Sequence, residues 1–362
     1  MWKIVFLFLP IIGISYVGWH VWNIIPVSKI WKSVIVALMV ASFFTLILDF
    51  SGSLEKYPLP LARGLYEIGT SSVMVLLYLV LLFLCLDLGR LVHLVPKSFF
   101  YDNMRGALGL FTVMFFVFLY GNINYNVKRR VPLELKTTKA LGKEYKMVLA
   151  TDLHLGYHNP RKELARWVDM INEEEPDLVL IGGDIIDISV RPLIEENMAE
   201  EFKRLNAPVY AVLGNHEYYS GEPRAKQFYK DAGIHLLVDE TAEVDGNIVI
   251  VGRNDKTNRG RKSLKELMSG VDKSKYVILI DHQPYNLEQA EQEGVDFQLS
   301  GHTHRGQVWP ISWITDAMYE CSWGSHERGN TQYYVSSGLG IWGGKFRIGT
   351  QSEYVVARVG KN

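Results

Sequence analysis

The 362 residues carry 38 Lys and Arg against 39 Asp and Glu, a net charge of −1, so no global field favours nucleic acid or an acidic partner. Hydrophobic residues make up 48% of the chain but are unevenly spread: nearly all of the very apolar sequence precedes Gly121, and most of the charge follows it. The two cysteines, Cys85 and Cys321, lie in different halves, Cys85 within an apolar run, which supports neither a disulfide framework nor a cysteine-based zinc site.

Four apolar stretches open the chain, at Ile4 to Ile25, Val34 to Phe50, Ser71 to Leu86 and Ala107 to Ile123. Each approaches the ~20 residues a helix needs to cross the hydrocarbon layer, the second and third being short. Asp49, Asp87 and Arg105 fall at stretch ends, within reach of headgroups, and Trp2, Trp19, Trp22 and Trp31 gather at the first two boundaries. A cleaved signal peptide fits poorly, since no small-residue cleavage site precedes Pro26 and three more apolar stretches follow. A soluble bundle would show polar faces, and Val73 to Leu86 shows none. Residues 1–122 are therefore expected to form a bundle of about four transmembrane helices, with membrane lipids as partners. Loop Lys and Arg, including Lys56, Arg63 and the run Lys128-Arg129-Arg130, lean towards a cytoplasmic C-terminal domain; the extracytoplasmic side is the alternative. The spans show no Gly/Pro-broken helix pair and no buried polar residues beyond Ser and Thr, so anchoring is the simpler role. Residues 123–145 are polar and basic and read as a juxtamembrane linker.

From Lys146 to Asn362, apolar runs alternate with amphipathic segments, the pattern of an α/β layered fold. Strands are predicted at Met147 to Ala150, Leu178 to Ile181, Val209 to Leu213, Ile248 to Val251, Val277 to Ile280, Phe297 to Leu299, Tyr333 to Val335 and Tyr354 to Val359. Helices are predicted at Lys162 to Glu174, Pro192 to Leu205, Arg224 to Ala232, Leu264 to Met268 and Asn286 to Gln292.

Five of these strands end in residues that bind metals. The endings are Asp152-Leu153-His154, Gly183-Asp184-Ile185-Ile186-Asp187, Gly214-Asn215-His216-Glu217, Asp281-His282 and Gly301-His302-Thr303-His304. Singly each has a dull explanation: a turn, a helix cap, a strand's exposed face. Five in succession do not. Carboxylate, imidazole and one amide, with no thiolate, suit a divalent ion such as Mn, Fe or Zn, and the number of ligands exceeds what one four-coordinate ion needs. Two divalent ions are implied.

This order of motifs resembles the calcineurin-like metallophosphoesterase family, and the Asp152 and Gly301 motifs resemble its membrane-associated bacterial branch, which includes phosphodiesterases. The resemblance covers Lys146 to about Val359. It implies a four-layer αββα sandwich, here behind the transmembrane bundle, in a multi-pass protein of the bacterial cell membrane. It also implies a first metal on Asp152, His154 and His304, bridged by Asp184 to a second on Asn215, His282 and His302, with His216 beside them as the catalytic acid. Glu217, where many relatives have Asp, is expected to orient His216. Arg305, where relatives often have Gly, is expected either to reach a substrate phosphate or to pair with a nearby carboxylate.

The implied reaction is hydrolysis of a phosphoester, phosphodiesters first, by a metal-bridging hydroxide between ions ~3.5–4 Å apart. Lipid-linked or nucleotide-sugar pyrophosphates are the alternative substrates, and a non-catalytic scaffold is the rival from another class. Trp309, Trp313, Trp323 and Trp342 follow the metal motifs and read either as an apolar entrance or as core.

Overall fold

Long apolar runs without a polar face can only be helices or buried strands, and both occur, in separate parts of the chain. The computed structural model describes residues 2–360, with side chains described from Leu9 onward except those of residues 49 and 50. It divides into a helical unit (residues 1–122 with Gly343–Lys345) and a second unit (Ile123–Trp342 with Phe346 onward).

In the helical unit, helices cover Trp2–Ile24, Lys29–Phe44 with a continuation at Leu46–Phe50, Leu59–Leu91, and from Met104 onward to Asn126. Among the described residues three are long and apolar enough to cross a membrane: Lys29–Leu48, Leu59–Leu91 and Met104–Asn126. The first expected span falls on Trp2–Ile24, part of whose side chains lie outside the described residues. The third expected span is only the middle of a 33-residue helix. Asp87 keeps its place near a helix end but is not left to solvent alone. The helix continues to Leu91, so Asp87 sits a turn inside it, where its Oδ2 accepts from Tyr16 Oη at 2.5 Å and lies 3.0 Å from Nε2 of the buried His20. The helices therefore do contain a polar contact beyond Ser and Thr.

The second unit holds two six-stranded mixed sheets. Its strands are β1 (Lys128–Leu135), β2 (Tyr145–Ala150), β3 (Leu178–Ile181), β4 (Val209–Ala211), β5 (His235–Leu236), β6 (Glu240–Val244), β7 (Ile248–Gly252), β8 (Tyr276–Ile280), β9 (Phe297–Ser300), β10 (Gly324–Arg328), β11 (Thr331–Val335) and β12 (Ser352–Val359). The orders are β1-β12-β2-β3-β4-β5 and β10-β11-β9-β8-β7-β6. Helices form at Arg161–Glu173, Arg191–Glu195, Ala199–Phe202, Glu222–Asp231, Leu264–Met268 and Glu288–Glu293, so the single helix expected over Pro192 to Leu205 is two short ones.

Strand periodicity builds the layers. Met147 and Leu149 of β2 point between the sheets, meeting Leu178, Leu180, Ile278, Ile280 and Leu299. Val148 and Ala150 point outward onto Leu164, Trp167 and Ile171 of the helix at Arg161–Glu173. Val277 and Leu279 of β8 cover the opposite outer face with Leu264, Met268 and Ala290. Helix, sheet, sheet and helix stack as four layers, and central strands buried on both faces read as unbroken apolar runs.

The expected linker is a correction. Lys128–Leu135, within residues 123–145, forms edge strand β1, parallel to β12 from Lys128↔Ser352 to Leu135↔Val359. Val131, Leu133 and Leu135 alternate inward while the basic residues face out, and Pro132, which cannot donate to a ladder, is tolerated at an edge.

Candidate metal centre

β2, β3 and β4 run parallel in one sheet or pair with parallel neighbours, as do β8 and β9 in the other. Their carboxyl ends carry all five motifs, at the edge where α/β sheets gather ligands. Backbone bonds lash the loops together: Asp152 N donates to Gly183 O (3.0 Å), His154 N to Asp184 O (3.0 Å) and Gly301 N to His282 O (2.9 Å). Asp152, His154, Asp184, His302 and His304 all have φ between 46° and 69°, the left-handed region that L-residues rarely occupy. Two glycines are dictated by close approach. A Cβ at Gly214 would stand 2.1 Å from Asp184 Oδ1, and one at Gly301 would stand 2.3 Å from Asp152 Oδ2.

The seven expected ligands converge. Asp152, His154 and His304 form one group, and Asp184, His282 and His302 another, with donor atoms in each within 4.8 Å of one another. In the first, His154 Nε2 lies 3.1 Å from His304 Nε2, 3.7 Å from Asp184 Oδ2 and 3.9 Å from Asp152 Oδ1. In the second, His282 Nε2 lies 3.1 Å from Asp184 Oδ2, and His302 Nδ1 lies 2.8 Å from Asn215 Oδ1. Ligands at ~2.0–2.2 Å from a common ion stand roughly 2.8–4 Å apart, depending on the angle between them, so these separations fit a divalent metal. His282 Nε2 is buried with no hydrogen-bond partner, as a ligand nitrogen would be without its ion, while Nδ1 is held 2.7 Å from the Gly182 carbonyl.

Burial, with His282 beside it, pulls His302 down to about 4, and burial beside His154 and Arg347 holds His304 well below its ordinary value. Both are neutral at pH 7, as metal ligands must be. Burial opposes charge on His282 and Asp184, but their mutual attraction overrides it, raising the imidazole and lowering the carboxyl.

His216 is placed beside both groups. Its backbone N donates to Asp184 Oδ1 (2.9 Å), and its ring packs edge-on to His154 at 4.5 Å between centroids. His154, Asp184 and His216 also satisfy the spacing for a metal. Burial opposes its proton, yet Asp184 and Asp187 carry it up to about 9. The expected role of Glu217 is corrected here. Its buried carboxylate accepts from the backbone N of Gly214 (2.6 Å), Ile186 (2.9 Å) and Asp184 (3.2 Å), so it braces two ligand loops. Asp187 takes the orienting position instead, with Oδ1 3.2 Å from His216 Nδ1 and 3.4 Å from His154 Nδ1. The spacing Asp184-x-x-Asp187 was the available signal.

Arg305 pairs with no carboxylate among the described residues; its guanidinium carbon stacks 4.1 Å from the Trp323 ring centre. Asp281 faces away from the ligands to Arg253 (3.1 Å) and Arg261 (3.2 Å). His326 pairs with Glu320 at 3.1 Å. Trp309 and Trp313 are exposed, and the Trp323 indole donates to Glu353 at 3.0 Å. Arg347 had no motif to mark it. It is fully buried, donates to the carbonyls of His304 (2.8 Å), Ser337 and Gly340 (3.1 Å), and is pulled by burial down to about 10, still charged at neutral pH. It clamps the loop behind Asp152, whose carbonyl accepts from Gly340 N at 3.0 Å.

Comparison with known proteins gives a profile match over residues 145–306 to the calcineurin-like phosphoesterases. The chain is 32% identical over 266 residues to an uncharacterised metallophosphoesterase of Campylobacter jejuni, covering 70% of each chain. It is 32% identical over 229 residues to one from Aquifex aeolicus, covering 60% of this chain and 86% of that one. It is also 29% identical over 306 residues to a transmembrane protein with metallophosphoesterase domain from Danio rerio, covering 77% of this chain and 69% of that one.

Proposed function

Because this chain belongs to the calcineurin-like phosphoesterase family, we propose that it is a membrane-anchored hydrolase that cleaves phosphodiesters at a dinuclear metal site. The observation that carries the reading is Asp184. It lies among the second group of ligands and also 3.7 Å from His154 of the first, the position of a shared carboxylate. In this reading Asp152, His154 and His304 hold one ion, Asn215, His282 and His302 the other, and Asp184 both. Bound ions of this kind neutralise charge on a phosphoryl group and activate water near neutral pH.

The chain's own residues supply the rest. His216, protonated through Asp184 and Asp187, donates to the departing oxygen. Glu217 holds the loops of Asp184 and Asn215 in register. Arg305, stacked on Trp323 without a carboxylate partner, meets a substrate phosphate oxygen. The anchoring helices keep this chemistry beside a bilayer, the catalytic domain on the cytoplasmic face, which a reporter fused to the C-terminus tests.

The test uses the full chain purified in detergent with added Mn, assayed on a diester and a monoester. Diester turnover above monoester turnover is expected. Asp184→Asn should lose metal and turnover together, whereas His216→Ala should keep metal and lose most turnover. Full metal content with no turnover on either substrate would favour the scaffold reading.

A further inference from the structure

Apolar side chains in this domain are mostly inside, but the segment after the last histidine pair inverts that rule. The helix at Ile311–Met318 buries Ser312, while Trp313 (65% exposed), Ile314 (52%) and Met318 (65%) face out, with Trp309 (41%) just ahead of them. Positions 313, 314, 317 and 318 share one side of a helix, and Ala317 is exposed there too. The Trp309 and Trp313 rings pack edge to face at 5.4 Å, making one surface of them. The helix's only charged residue, Asp316, accepts from Ser322 Oγ. Single exposed apolar residues are ordinary; a contiguous group with two Trp marks an interaction site.

The chain itself indicates the occupant. β1 starts at Lys128, with only Val127 between it and a helix long and apolar enough to cross a membrane. A domain on so short a tether stays beside the bilayer, where Trp with aliphatic neighbours settles at the boundary between headgroups and acyl chains. The same chain leaves Trp19, Trp22 and Trp31 exposed near the ends of its apolar helices. We infer that Trp309, Trp313, Ile314 and Met318 insert into the adjacent leaflet and dock the catalytic domain on lipid. The helix is packed hard against the turn that carries His304, since a Cβ at Gly306 would stand 2.5 Å from the Ile311 carbonyl carbon. Docking there sets the turn that carries His304 close to the lipid surface.

The test places a polarity-sensitive fluorophore on Trp313→Cys in the full chain, with Cys85→Ser to remove the exposed thiol and Cys321 left buried. The protein is reconstituted in phosphatidylcholine–phosphatidylglycerol vesicles, with Lys203→Cys as the exposed control. Emission at 313 should be blue-shifted and quenched severalfold more by doxyl-labelled lipid than at 203, and iodide should quench 203 only. Free access of iodide to 313 overturns the inference. So does a blue shift that doxyl lipid leaves untouched, because a protein surface such as a second copy would then be the cover. Met318→Cys repeats the reading if the Trp313 variant does not fold.

Discussion

Replacing Arg347 by Met tests whether the metal centre depends on a cation whose hydrogen bonds go to backbone carbonyls and Ser352, not to a ligand side chain. Met keeps much of the buried volume but withdraws the donors now serving the carbonyls of His304, Ser337 and Gly340. A buried acceptor left unpaired costs about 1–3 kcal/mol, so three cost roughly 3–6 kcal/mol once partial relaxation is allowed. That is a large share of a typical domain's 5–15 kcal/mol. The loss falls on the loop behind Asp152 and on the turn of His304, both in the first group of ligands. Outer-shell partners of metal sites typically matter about 10–100-fold in affinity, so we expect R347M to bind the first ion weakly and to hold about one metal per chain at limiting Mn. Metal content by mass spectrometry and the melting temperature of the detergent-solubilised chain check this. Wild-type metal content at the same free Mn, with an unchanged melting temperature, would refute the argument. Arg347→Lys, which keeps the charge but not the planar fork, should fall between the two.

Asp187→Asn removes one of the three carboxylates, with Asp184 and Glu217, that keep His216 protonated, so the alkaline limb of a pH–rate profile should move to lower pH while metal content holds. Gly214→Ala places a methyl where Asp184 Oδ1 stands and should abolish metal binding, read by metal analysis of folded protein. Glu174 is lowered to about 2 by Arg130, with Lys146 and Tyr354 assisting. A depressed folded-state value stabilises above the ordinary carboxyl value, and the effect fades as pH falls from there through about 2. With Arg130 partly exposed to solvent this is worth about 1–2 kcal/mol, so Glu174→Gln should lower the melting temperature at pH 7, less so as pH falls below the ordinary carboxyl value, and have little effect once pH is below about 2.

The central strands and their metal-binding ends were legible because burial on both faces leaves uninterrupted apolar runs, as at Leu178–Ile181. The edges were not. β1, β6 and β10 are polar and half-exposed, and only the alternation Val131, Leu133, Leu135 betrays β1. Side chains of metal-ligand type announce themselves by type and spacing; those that position them do not. Glu217 serves backbone amides contributed by 184, 186 and 214, and Arg347 serves carbonyls at 304, 337 and 340, partnerships that exist only after the loops have closed. The contact of Asp87 with Tyr16 and the buried His20 was missed because it joins two helices far apart in sequence.

Five ligand residues hold positive φ, a conformation that L-residues disfavour by roughly 1–2 kcal/mol each, less for Asp. Before any ion arrives, each of these loops therefore gains by relaxing, and the braces from Glu217 and Arg347 oppose it. Ions bound at these side chains would offset that local cost, so metal binding should stabilise the ligand loops more than the sheets that carry them.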